Sequence, residues 1–361
     1  MRNISLFTLS AILFLQACAT KETIGELEQT SPKGVDDRKV NLSELAEEAE
    51  YIRLEVTDNS LVARIADLAY HSDRILISDG RLLYSFDKEG NFLGQIGKTG
   101  DGPGEYNFIK SFAIDRTKSL IYIAGNTKLM VFSLDGDLRT EVKLPFIQNI
   151  YTTPSGIKFI SHDLGIQSFD DGRTLNQTYL ISLSDQLLPE DTVILRSTPV
   201  EGIKGVSMPR GLTFLTSVNG DDFVYFPVPS FYEDPVIRDT LYQVTDNGLK
   251  AHLKLNIPLK NSKEKGFNLL TLARTKSYVL SKLSYDRAMR LLIHHRGTNT
   301  TYLSKGGLSD DLFGSGIADL IPLDADANLF FYVKEGPDMV DVLDGATEDD
   351  NPYVFLVKLK D

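Results

Sequence analysis

The chain has one cysteine, Cys18. The sequence beyond it can therefore form no disulfide, thiol nucleophile, cysteine-ligated zinc site or iron–sulfur cluster. Basic character is also scarce. There are 38 Lys and Arg against 50 Asp and Glu, a formal charge of −12. With no basic run and no interleaving of basic and aromatic residues, nucleic acid is not an expected partner. The same acidity opposes docking on an anionic membrane surface. Long apolar runs are missing too. The stretch from Ile4 to Leu15 is shorter than the roughly 20 residues a spanning helix needs. No low-complexity block interrupts the chain, and a 42% hydrophobic share over 361 residues is ample for a packed core.

What is present begins at the N-terminus. Arg2 is followed by the apolar run and then by Leu15-Gln16-Ala17-Cys18. A charged start, a short apolar core and a small residue before the cut describe a signal peptide. The ending resembles the lipobox of bacterial lipoproteins, which implies cleavage before Cys18 and lipidation of its thiol. One acyl chain holds a protein only marginally, so the several chains of such lipoproteins imply a stable membrane anchor. Ala19 rather than Asp after the cysteine points to the outer membrane. Residues 1–17 are thus expected to be leader and residues 18–38, with Ser31-Pro32-Lys33-Gly34, a lipidated flexible tether. The folded domain is expected over 39–361.

The body reads as short strands divided by Asp, Gly and Asn turns. Ile65–Tyr70, Arg74–Ser78, Leu82–Phe86 and Phe92–Ile96 form one four-stranded meander. The unit recurs. SFDKEGNFLGQIG at 85–97 matches VFSLDGDLRTEVKL at 131–144, with looser copies at 180–195 and 241–255. The steps between Phe86, Phe132, Ile181 and Tyr242 are 46, 49 and 61 residues. Four strands at such a period belong to propeller blades. Asp-Gly turns alone would suit a β-sandwich equally well, and the period decides against it. The expected fold is all-β: a six-bladed β-propeller of four-stranded antiparallel blades.

Two segments break the strand pattern. Asn41-Leu42-Ser43-Glu44 has the form of a capping box, and Leu42, Leu45, Ala46 and Ala49 share one face of a short helix. Leu269, Leu270, Ala273, Leu280 and Leu283 suggest a helix inserted near 268–283, between blades 4 and 5. A ring of blades has to be closed, because its free edges would otherwise stay unpaired. Tyr51–Val56 is expected to complete the last blade beside Tyr353–Leu359.

YIRLE (51–55), IGKTGDGPGEY (96–106), DTLYQV (239–244) and DDNPYVFLVKLK (349–360) resemble the six-bladed β-propeller lipoproteins abundant in Bacteroidetes. The blades also resemble those of NHL-repeat propellers. The resemblance implies a fold and a cell-envelope location. It implies no activity and no catalytic residues.

The most distinctive segment is Gly100-Asp101-Gly102-Pro103-Gly104-Glu105-Tyr106. Backbone amides in such a loop can cradle an anion. It is not a P-loop, which needs Gly-Lys-Ser/Thr and a helix, and the next element reads as a strand, Lys110–Ile114. An inter-blade connection whose glycines allow positive φ accounts for it. Gly100, Asp101, Gly102, Gly104, Glu105 and Tyr106 are kept as a candidate ligand loop, because such connections line a propeller's mouths.

Other motifs yield less. Asp324, Asp326 and Asn328 have calcium-loop spacing, but Leu329 stands where the EF-hand turn needs Gly. A turn between two strands of blade 6 is expected there. His294 and His295 would point to opposite faces of a strand, and His71, His162 and His252 are isolated, so no metal site is expected. Gly314-Ser315-Gly316 is not a nucleophile elbow. Asp221-Asp222 and Asp310-Asp311 read as solvated turns. The function expected is non-enzymatic: a lipid-anchored envelope module that binds or scaffolds a protein, peptide or glycan, without a cofactor. The alternative is a calcium-dependent lactonase or lyase with side chains converging on an ion in the central channel.

Overall fold

The computed structural model describes residues 27–30, 39–168, 171–201, 215–225, 239–246, 248–256 and 268–361. The leader at 1–17 and Cys18 lie outside the described residues. In chain order, β1 (Glu28–Thr30), α1 (Leu42–Leu45) and β2 (Ala46–Arg53) come first. Blade 1 is β3 (Asp67–His71), β4 (Arg74–Ser78), β5 (Leu83–Asp87) and β6 (Phe92–Gln95). Blade 2 is β7 (Ser111–Asp115), β8 (Leu120–Ala124), β9 (Lys128–Ser133) and β10 (Leu138–Lys143). Blade 3 is β11 (Asn149–Thr153), β12 (Gly156–Ser168), β13 (Arg173–Leu183) and β14 (Pro189–Glu201). Blade 4 is β15 (Leu215–Val218), β16 (Asp221–Val224), β17 (Thr240–Thr245) and β18 (Gly248–Leu255).

Blade 5 has a broken first strand, β19 (Asn268–Leu269) and β20 (Ala273–Arg274), followed by β21 (Tyr278–Tyr285), β22 (Ala288–His295) and β23 (Thr300–Lys305). A small hairpin, β24 (Leu308–Asp310) and β25 (Gly316–Ala318), leads to blade 6. That blade contains β26 (Ile321–Asp324), β27 (Leu329–Lys334) and, after α2 (Gly336–Met339), β28 (Tyr353–Leu359). Its fourth strand is β2, antiparallel to β28 with Tyr51 opposite Phe355. The expected clasp between chain start and chain end is present, on a strand that runs Ala46–Arg53 rather than Tyr51–Val56.

Local chemistry explains the hairpins. Ser72-Asp73, Asn219-Gly220 and Asp286-Arg287 each hold two successive residues at positive φ, the signature of the tight turn that matches strand twist. The residues that marked the repeat (Phe86, Phe132, Ile181 and Tyr242) all fall on the third strand of successive blades. The core follows from period two. In β4, Ile75 and Ile77 pack toward blade 6 while Leu76 packs toward blade 2. In β9, Leu129 and Val131 face blade 3, and Met130 faces blade 1. Each blade is therefore apolar on both faces, and the six hydrophobic clusters coincide with the six blade–blade interfaces.

The helix expected near 268–283 is absent, because Leu269–Leu283 forms β19, β20 and most of β21. Tyr278 and Leu280 pack toward blade 6, and Val279 and Leu283 toward blade 4. A strand buried on both faces loses its polar alternation, and its apolar spacing then resembles a helical stripe. The N-terminal helix is also shorter than its apolar stripe. The Glu44 carboxylate does accept the Asn41 N–H at 2.9 Å. Yet Ala46 turns to extended backbone and, with Ala49, joins β2, because pairing with β28 outweighs local propensity.

The stretch read as a tether contributes β1, which lies parallel to β18 on the edge of blade 4. The Glu28 carboxylate is held there by Arg296 at 2.9 and 3.0 Å. The carboxylate pairs are only half solvated. Asp221 and Asp311 are exposed, whereas Asp222 and Asp310 are buried. Asp222 accepts from Lys158 Nζ at 2.6 Å and Ser217 Oγ at 2.5 Å. Asp310 accepts from the backbone of Leu312, Phe313 and Ser315 and from Tyr332 Oη. Asp221 and Asp222 are neighbours on β16 and point to opposite sides, whereas Asp310 ends β24 and Asp311 lies just beyond it.

Candidate functional site

The first strands of the blades stand innermost. β26 packs against β3, β3 against β7, β7 against β11, and β15 against β20. All run in the same sense, so their C-terminal ends and the turns that follow gather on one face of the disc. There they enclose a cavity of about 470 Å³ at the channel mouth. Tyr70 comes from blade 1, Asp115 and Arg116 from blade 2, and Tyr151 and Thr152 from blade 3. Thr216 and Ser217 come from blade 4, and Asp324 and Asp326 from blade 6. Leu68, Ile114, Leu215 and Leu323 supply apolar wall between these groups.

The charged groups have defined partners. Arg116 donates to the Asp324 carboxylate, bridging blades 2 and 6 across the inner edge of blade 1. Burial pushes that carboxyl up, but Arg116 and the N–H groups of Asp326 and Ala327 hold it below the usual carboxylate range. Asp115 Oδ1 accepts from the N–H groups of Thr117 and Lys118 at 2.9 Å. Asp326 Oδ1 accepts from Asn219 N–H at 2.8 Å. Thr152 Oγ1 donates to the Ile114 carbonyl at 2.6 Å, tying blade 3 to blade 2. Thr216 differs from these. It is 8% exposed and lines the cavity, and its hydroxyl is buried with no partner among the described residues. Deeper in the same inner wall, Asp67 begins β3. It meets solvent yet is enclosed by the ring, and burial pushes its carboxyl up to about 7 against the Leu68 N–H.

With this geometry in place, a family profile described as "Domain of unknown function (DUF4934)" matches residues 30–358. The chain belongs to that family. No curated protein matches it. Among solved structures, it is similar to a putative exported protein of Bacteroides fragilis NCTC 9343. That match has 17% identity and a TM-score of 0.69, over 92% of this chain and 100% of the other. A protein of unknown function from Bacteroides caccae is 14% identical with a TM-score of 0.39, over 72% and 82% of the two chains. The extracellular domain of a putative one-component system from B. thetaiotaomicron is 12% identical with a TM-score of 0.38, over 71% and 29%. At 17% identity, the first likeness is one of fold.

In this DUF4934 chain the glycine-rich loop does not join the mouth. It connects blade 1 to blade 2 on the opposite face, beside a smaller cavity of about 250 Å³. Its amides are already committed: Gly102 N–H donates to Glu105 Oε2 and Gly104 N–H to Glu141 Oε2, both at 2.9 Å. Lys128 Nζ reaches the carbonyls of Gly102 and Glu105 at 2.9 and 3.2 Å. Asp101 accepts from Asn107. Gly100 sits at φ +150°, and a Cβ there would meet the Glu105 carboxylate. Tyr106 is buried, donates to the Ile96 carbonyl and accepts from Leu83 N–H at 3.3 Å. The loop is thus held by its own Glu105 and by Lys128 and Glu141 from the outer strands of blade 2.

The histidines stay apart. His294 bonds Thr301 at 2.9 Å, while His295 packs edge-on against Tyr278 at 4.9 Å, on the other side of β22. His162 bonds Thr178, His71 lies near Ser119, and His252 accepts from Arg274. Ser315 donates to Asp310 and caps a turn. The Asp324–Asn328 segment is the turn between β26 and β27, with Asn328 at φ +50°. Among the described residues, no group of three or more His, Cys, Asp or Glu could hold a metal ion. Nor is any helix among them long and apolar enough to cross a membrane.

The mouth residues carry no local motif. Tyr70, Asp115, Thr152, Ser217 and Asp324 lie near the ends of equivalent first strands. Aligning the blades on Phe86, Phe132 and Ile181 and then reading the first strand of each was the signal that could have found them.

Proposed function

We propose that this protein is a lipid-anchored cell-envelope binding module whose ligand, a protein segment, peptide or glycan, enters the channel mouth. The observation that supports it is the cavity of about 470 Å³ built from five blades, with a buried Thr216 hydroxyl in its wall that has no partner among the described residues. Concave sites of a few hundred Å³ with a few convergent polar groups are the usual form of ligand pockets. A calcium-dependent enzyme would need side-chain oxygens free to converge on one ion. Here Arg116 holds Asp324, and among the described residues no group of three or more His, Cys, Asp or Glu could hold a metal ion.

The envelope part of the reading rests on Leu15-Gln16-Ala17-Cys18. Cys18→Ser is expected to move the protein out of the membrane fraction, and continued retention would overturn the anchor. The mouth is tested by a photo-crosslinking amino acid placed at Tyr151, compared with one at the rim residue Lys250, in cells producing the full chain. Adducts from the mouth position and none from the rim are expected. Equal labelling from both, or none from Tyr151, would remove the mouth as the binding face.

A further inference from the structure

We infer that the channel mouth takes a neutral saccharide unit, with hydroxyl groups recognised by Asp115, Asp326 and Thr216. This rests on the reading of the mouth as a ligand site. The lining presents three carboxylates, of Asp115, Asp324 and Asp326, and one guanidinium, of Arg116. That guanidinium is already paired with Asp324. An anionic ligand would have to break the pair and then face three acids at close range, which Coulomb repulsion opposes.

Asp115 and Asp326 each commit Oδ1 to turn amides, leaving Oδ2 as an acceptor toward a ligand hydroxyl. Tyr70 and Tyr151 are half-buried and belong to the same lining. A pyranose combines an apolar C–H face with a rim of hydroxyl groups, and this mixed wall matches both. Thr216 is the independent pointer. It lines the cavity at 8% exposure, and its hydroxyl has no partner among the described residues. A buried hydroxyl without a partner is costly. A ligand hydroxyl that reached Thr216 would supply the missing partner.

The test uses the full chain with Cys18→Ser, titrated calorimetrically with neutral mono- and disaccharides, the matching uronic acids and the matching amino sugars. At least one neutral sugar is expected to bind at millimolar concentration or below, with its uronate at least about tenfold weaker. Thr216→Val is expected to weaken that sugar about tenfold while raising the melting temperature of the free protein, since it removes the unpartnered hydroxyl. A uronate or amino sugar that binds tighter than the neutral sugar would overturn the ligand class and leave the mouth reading standing. Unchanged affinity in Thr216→Val would overturn the recognition set. If no saccharide binds, the inference fails, and the crosslinking from Tyr151 then shows whether the binding reading falls with it.

Discussion

Arg53 Nη2 donates to Asp350 Oδ1 at 2.8 Å, joining the strand that opens blade 6's outer edge to the loop before its third strand. The two residues come from opposite ends of the chain, so this contact exists only once the ring has closed. Asp350 Oδ2 also accepts from Tyr353 Oη at 2.5 Å and Thr347 N–H at 3.1 Å.

Burial pushes the Asp350 carboxyl up, but Tyr353, Thr347 and Arg53 together bring it down to about 2, from 3.8. A carboxyl with a lowered folded-state pKa stabilises the fold above its unfolded value. That contribution is lost as pH falls through the folded value. Arg53 is half-exposed, so screening reduces it to about 1–2 kcal/mol. Asp350→Asn should therefore lower stability by that amount at pH 7, and the gap should close between about pH 4 and pH 2. Urea melts of both proteins across this range check it; a gap independent of pH would contradict it.

Phe355 is fully buried and stacks on Tyr332 at 4.5 Å with planes 11° apart. Phe313 and Tyr51 touch the same ring at 5.3 and 5.9 Å. Phe355→Ala should cost about 3–5 kcal/mol, read as a shift of the denaturation midpoint. Removing Tyr353–Asp361 deletes β28 itself, leaving β2 without its partner and β27 with a free edge. That truncation should abolish the single cooperative melt of the full chain.

Gly90 closes the last hairpin of blade 1 at φ +91°, and a Cβ there would stand 2.1 Å from the Arg53 carbonyl oxygen. Gly156 has φ +117° with nothing within 4 Å of the same position. Gly156→Ala should cost only the backbone strain, about 1–2 kcal/mol. Gly90→Ala adds a collision with the closing strand and should cost clearly more. Equal losses in parallel melts would show that blade 1 does not press on blade 6 there.

Glu28 meets Arg296 through both carboxylate oxygens. Burial pushes its carboxyl up, but the Arg296 hydrogen bond and charge, with Arg274 and His252, leave it below 4.5. Its contribution to holding β1 is present above 4.5 and lost as pH falls through the lowered value. Glu28→Gln should speed hydrogen exchange at residues 28–30 about fivefold at pH 7, the equivalent of ~1 kcal/mol. The native protein should approach the variant's relative protection only in acid.

The sequence by itself determined the blade. Turn residues such as Ser72-Asp73 and the third-strand positions Phe86, Phe132, Ile181 and Tyr242 act through local φ preferences and period two, which need no distant partner. Ring closure was legible for a related reason: a strand without a complete blade at each end of the domain leaves one economical pairing. The segment Leu269–Leu283 was misread because both of its faces are buried between blades, which removes the polar alternation that marks a strand. Asp222 departs from a solvated turn because its strand neighbour Asp221 takes the solvent side, and Asp310 because it accepts the backbone N–H groups of the turn that follows it. Only the tertiary structure decided the mouth. Tyr70, Asp115, Tyr151, Thr216 and Asp326 are separated by whole blades in sequence, and only the closed ring converts that spacing into a shared cavity wall. It also decided the partners of the Gly100–Tyr106 loop, where Glu105 and Glu141 accept the Gly102 and Gly104 amides and Lys128 reaches the Gly102 and Glu105 carbonyls.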